Sequence, residues 1–137
     1  MNTLPYKYYL LSAFLFIAID SVWLSLNSNM YNKLVRNIQG SNIQLKMVPA
    51  MLSYIFLLLG LFTFTFPNMK NVKESELFDK SLYYGGMLGL IIYAVFDFTN
   101  MAIFKNYTIV PAILDTLWGG TLYTLVTFLT FKILLKI

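Results

Sequence analysis

The sequence predicts an all-α, polytopic membrane protein: four transmembrane helices in an up-down bundle, with a short interfacial helix after the first. Three observations predict it. Of 137 residues, 58% are hydrophobic and only 12% are charged, about half the charge of an average soluble domain. The mean hydropathy is +0.67. The apolar residues also fall into four runs, roughly 8–26, 47–66, 81–104 and 109–131, each near the ~20 residues that a helix needs to cross a bilayer. One transmembrane domain, 1–137, accounts for the chain.

The first run is not expected to be a cleaved leader. It is too long, it contains Asp20, and no small-x-small site precedes Asn27. Next, Met30, Tyr31, Leu34, Val35 and Ile38 share one helical face, Lys33 and Arg36 lie opposite, and Gly40 provides a stop. This amphipathic helix either rests on the membrane surface or closes over the bundle as a lid. The second run has no acidic residue and offers only Pro49, Ser53 and Gly60 as a stripe, so it is expected to pack outside any site. A polar loop follows over 67–80, and a tight turn over 105–108 joins the last two runs. Gly85, Gly86, Gly89, Gly119 and Gly120 permit close backbone approach, which matters where lipid gives helices no hydrophobic reason to associate.

Lys7, Lys70, Lys73, Lys80, Lys132 and Lys136 fall on one side of this topology, against Lys33, Arg36, Lys46 and Lys105 on the other. The excess places both termini in the cytoplasm. The pI of about 9.3 reflects cations at membrane edges, and no nucleic-acid partner is expected. Absence of cysteine rules out disulfides, zinc-thiolate sites and catalytic thiols. Absence of histidine removes the usual neutral-pH base, and with it His-box di-iron oxygenases, Ser-His-Asp hydrolases and HExxH proteases.

Three of the six acidic residues, Asp20, Asp97 and Asp115, lie inside predicted spans. Asp20 and Asp97 precede their span ends by six and seven residues, and Asp115 follows its span start by six. At 1.5 Å per residue all three lie roughly 10 Å below the same membrane face. Helical stripes put them on common faces: Ser12, Phe16, Asp20, Trp23 and Asn27; Gly86, Gly89, Tyr93, Asp97 and Asn100; Pro111, Asp115, Trp118, Gly119 and Leu122. Lys105 and Lys46 stand at the mouth of this group, and no cation accompanies it within the spans. Each intramembrane charge costs about 3 kcal/mol or more, and like charges cannot all ionise cheaply. The group is expected to retain a proton, bind a cation, or reach Lys105 or Lys46. Hydrogen-bonded helix glue is the simpler reading of any one such aspartate. Trp23 and Trp118, each three residues after an aspartate, are either interfacial anchors or pocket walls.

On IDSVWL (19–24), YAVFDFTNMA (93–102) and ILDTLWGG (113–120) the chain resembles domain-of-unknown-function family 2177, short membrane proteins of bacteria and viruses. Asp20, Trp23, Tyr93, Asp97, Thr99, Asn100, Asp115, Trp118 and Gly119 match that family's pattern, with Lys105 and Pro111 as counterparts of its lysine and proline. The resemblance implies a four-helix fold. Bacterial relatives encoded near fatty-acyl-modifying enzymes imply a lipid connection by association only, and the resemblance assigns no activity.

The function expected first is a proton or small-cation transporter or channel, with an organic cation also accommodated. Asp97 is its principal site, Asp20 and Asp115 share the charge, and Asn100, Thr99 and Tyr93 supply ligands. Carboxylates beside Trp23 and Trp118 suit an ammonium ion. Four helices make a thin pore, so this reading implies a homo-oligomer. The alternatives are a lipid-binding or lipid-modifying protein and a non-catalytic accessory subunit. No cofactor is expected, although lipid chemistry would take Mg²⁺ on oxygen ligands.

Overall fold

The computed structural model describes residues 4–135, and among them there is helix but no strand. Five helices are α1 (Tyr6–Leu26), α2 (Ser28–Gln39), α3 (Met47–Met69), α4 (Glu74–Ile103) and α5 (Ile109–Leu134). All but α2 are long and apolar enough to span a membrane. Lys136, one of the cations used for orientation, lies outside the described residues.

The spans are longer than expected at the end holding the 67–80 segment. Instead of a polar loop, α3 continues through a 3₁₀ turn to Met69, and α4 begins at Glu74. Met69, Val72 and Leu77 are buried and anchor the connection in the core. Polarity placed this segment outside the hydrocarbon, but three spaced apolar residues were enough to fold it onto the bundle. Lys132 at the end of α5 pairs with Glu74 across the same end.

α5 is the central helix, packed along α4 and against α1. Its Leu122, Tyr123, Val126 and Phe131 join Phe16, Leu61 and Phe66 in one core. The α4–α5 approach is close because two glycines permit it. A side chain at Gly89 would strike the Gly119 carbonyl, and one at Gly119 would strike the Tyr93 ring. Both helices facing this core carry a wide π turn, at Leu61–Thr65 in α3 and Ser81–Gly86 in α4, bridged by Thr65 Oγ1 donating to the Tyr84 carbonyl at 3.1 Å. Two buried hydroxyls near this level, Ser81 Oγ and Thr130 Oγ1, have no protein partner.

The second span exposes Leu52, Ile55, Phe56 and Leu59. In water such a face would be an aggregation surface; in hydrocarbon it is the ordinary exterior.

α2 takes the lid position. Its apolar face turns inward, with Leu34 buried and Met30, Tyr31, Val35 and Ile38 half-buried. Gly40 ends it in the left-handed conformation, φ 78°, which costs glycine nothing. The Asn106 side-chain amide donates to the Asn37 carbonyl at 3.0 Å, tying α2 to the α4–α5 turn.

Candidate functional site

Two Asp-x-x-Trp tetrapeptides, one on α1 and one on the antiparallel α5, form the centre of the site. One turn separates Asp20 from Trp23, and another separates Asp115 from Trp118, so each pair shares a face. The indoles of Trp23 and Trp118 stack, with ring centres 4.4 Å apart and planes 4° from parallel. Each indole N–H then serves the other motif's aspartate. Trp118 Nε1 donates directly to Asp20 Oδ1 at 2.9 Å. Trp23 Nε1 donates to the Tyr31 hydroxyl at 2.8 Å, which in turn donates to Asp115 Oδ1 at 2.5 Å. The shared Asp-x-x-Trp pattern of the two motifs corresponds to a reciprocal arrangement.

The remaining donors are tyrosines and a threonine. Tyr54 on α3 donates to Asp20 Oδ2 at 2.5 Å. Tyr107, in the turn after α4, donates to Asp97 Oδ1 at 2.6 Å, and Thr116 Oγ1 makes a long 3.5 Å contact with Asp97 Oδ2. With no Lys or Arg at hand, phenol and indole groups satisfy the carboxyls. Outside the spans, burial raises the Tyr31 hydroxyl above its ordinary pKa, and its bond to Asp115 raises it further. Burial and then the bond to Asp97 do the same for Tyr107. Both remain protonated donors.

Several expectations change accordingly. The second span is part of the site, because Tyr54 sits seven residues after Met47 and so roughly 10 Å deep, level with the aspartates. The three carboxyls share no hydrogen bond with one another; each is held by aromatic donors instead. Asn100 is half-buried on the Asp97 face but gives its side chain to none of them, and Thr99 is exposed on another face. Trp23 and Trp118 lie at the centre of the network, and Gly119 is the seat of the Tyr93 ring. Lys46 and Lys105 are exposed and form no ion pair with the aspartates. Lys105 does stand beside Tyr107 in a polar cleft also lined by Asn37, Asn106 and Thr108.

The three aspartates are also not equivalent. Asp20 and Asp97 are 6% and 1% exposed, and both oxygens of each are engaged. Asp115 is half-buried, and only its Oδ1 is held by a protein donor. It lines a cavity of about 750 Å³ between α3 and α4, walled by Leu52, Phe56, Leu57, Ile92 and Phe96, with Ser53 and Tyr93 beside them. Among the described residues no three acidic side chains come together as a metal-binding group.

The model of a family described as predicted membrane proteins, DUF2177, matches residues 6–132 and so takes in every residue of this network. The chain belongs to this family. No curated protein and no solved structure matches it. The DUF2177 fold described above is therefore an integral-membrane scaffold with four candidate spans.

Proposed function

We propose that this DUF2177 protein binds a cation or proton inside the membrane at Asp115 and moves it across, the other two aspartates holding the helices in register. One observation carries the reading: Asp115 alone among the three combines an unclaimed carboxyl oxygen with a place on a cavity wall. An ionisable group inside a membrane with access to a cavity is the usual mark of a transport or binding pathway. Asp20, with both oxygens bonded by Tyr54 and Trp118, and Asp97, bonded by Tyr107 and contacted by Thr116, resemble structural clasps. This moves the working role from Asp97, the first candidate from sequence, to Asp115.

Proton flux in proteoliposomes containing a trapped pH dye tests it, with and without a competing alkali or organic cation gradient. Wild-type protein should dissipate an imposed gradient and Asp115→Asn should not. Equal rates for Asp115→Asn and wild type, with both proteins folded, would refute the assignment.

The lipid-binding alternative also draws on a specific observation, since the cavity beside Asp115 is mainly apolar and borders the outward face of α3.

A further inference from the structure

Resting on the reading of Asp115 as the cation site, we infer that its ligand is an amphiphile: an ammonium head on an alkyl chain, entering sideways from the bilayer between α3 and α4. Three features of the cavity point there. Leu52, Phe56 and Phe96 on its rim are exposed on the protein's apolar exterior, so the opening faces lipid. The lining runs from Pro49 down to Leu57 on α3 and from Phe96 to Ile92 on α4. Eight residues at 1.5 Å give the cavity a length of about 12 Å toward the midplane. Against this apolar channel the charge-bearing group is Asp115, with the Tyr93 ring next to it.

A carboxylate and an aromatic ring on the wall of an apolar slot are complementary to an alkylammonium ion. The carboxylate supplies charge and an acceptor; the ring supplies a cation–π surface. The slot accepts the chain. A small hydrated cation gains nothing from apolar walls, and an anionic amphiphile meets Asp115 unfavourably. The volume is within the ~300–1,000 Å³ range of ligand pockets. Tyr31 holds Asp115 Oδ1 from above, leaving Oδ2 for the ligand.

The test measures binding of three probes to the full chain in neutral phosphatidylcholine nanodiscs, followed through emission of the two tryptophans. The probes are dodecylammonium, tetramethylammonium and dodecyl sulfate. Dodecylammonium should saturate at least tenfold more tightly than either of the others. Asp115→Asn should weaken it at least tenfold. Ser53→Phe, which fills the cavity while leaving every aspartate and its hydrogen-bond donors in the sequence, should do the same, and it serves if Asp115→Asn does not fold. Tight binding of dodecyl sulfate, or no effect of Ser53→Phe, overturns the inference. If tetramethylammonium binds as tightly as dodecylammonium and Asp115→Asn abolishes both, the cation reading stands and the amphiphile inference falls. If Asp115→Asn is folded and changes neither ammonium probe, both fall.

Discussion

Tyr31→Phe removes one oxygen and breaks two bonds. The Tyr31 hydroxyl accepts from Trp23 Nε1 and donates to Asp115 Oδ1, so its loss leaves an indole N–H and a carboxyl oxygen without their partner. Side-chain hydrogen bonds in membrane proteins contribute about 0.6 kcal/mol on average and ~1.7 at most. The short bond to a carboxyl belongs near the upper end, as bonds to charged groups do. The expected cost is therefore about 2 kcal/mol. Reversible unfolding by denaturing detergent in mixed micelles measures it, read through tryptophan emission. Trp23 and Trp118 are the only tryptophans, and both belong to the network. A double-mutant cycle localises the effect. Tyr31→Phe with Asp115→Asn should be non-additive by about 1 kcal/mol, whereas Tyr31→Phe with Asp97→Asn should add within ~0.5 kcal/mol. A cost below about 0.3 kcal/mol, or coupling to Asp97 as strong as to Asp115, would refute the relay through Tyr31.

The remaining predictions concern packing, unsatisfied hydroxyls and pH. Gly89→Ala forces a methyl group onto the Gly119 carbonyl and should lower stability by about 1–3 kcal/mol, seen as a lower unfolding midpoint. Ser81→Ala and Thr130→Val remove buried hydroxyls that have no protein partner, and each should be neutral or raise the midpoint. Lys132→Gln breaks a surface pair with Glu74 and should cost under about 1 kcal/mol. Tyr31 and Tyr107 have folded-state pKa values above their ordinary 10.0. Their contribution is whole below that value and is lost as pH rises through the folded one. Stability should therefore decline above pH 10.0, less steeply in Tyr31→Phe. Ultraviolet titration should show both phenols silent until the protein unfolds.

Much of the scaffold was legible because membrane burial imposes simple periods. The spans follow from hydropathy. The stripes through Asp20, Asp97 and Asp115 do become the inward faces, with Ser12, Phe16, Gly89 and Leu122 buried beside them. Tyr54 and Trp118 join Asp20 to α3 and α5, whereas Asp97 is held separately by Tyr107 and Thr116. The donors were harder to read. Tyr31, Tyr54 and Tyr107 are three of ten tyrosines, and nothing local sets them apart. A depth count was the available signal. Carboxyls without cations need neutral donors at the same level, and Tyr54 meets that condition on a span that lacks acidic residues. The ranking of the aspartates could not come from spacing, since Asp97 and Asp115 occupy equivalent stripe positions. Only the packed structure shows that Tyr107 and Thr116 occupy one while the other faces a cavity. The 67–80 segment reads as a loop because its charges outnumber the three apolar residues that dock it.

Labelling with a lipid-soluble carbodiimide tests the central claim most directly. Such a reagent enters through the bilayer and modifies protonated carboxyls it can reach, and peptide mass spectrometry then reports which aspartate carries the adduct. The structure predicts that Asp115 is labelled first, and that Ser53→Phe or excess dodecylammonium protects it, while Asp20 and Asp97 stay unmodified in the folded protein. Labelling of Asp97 or Asp20 ahead of Asp115 would contradict the assignment of Asp115 as the open carboxyl group.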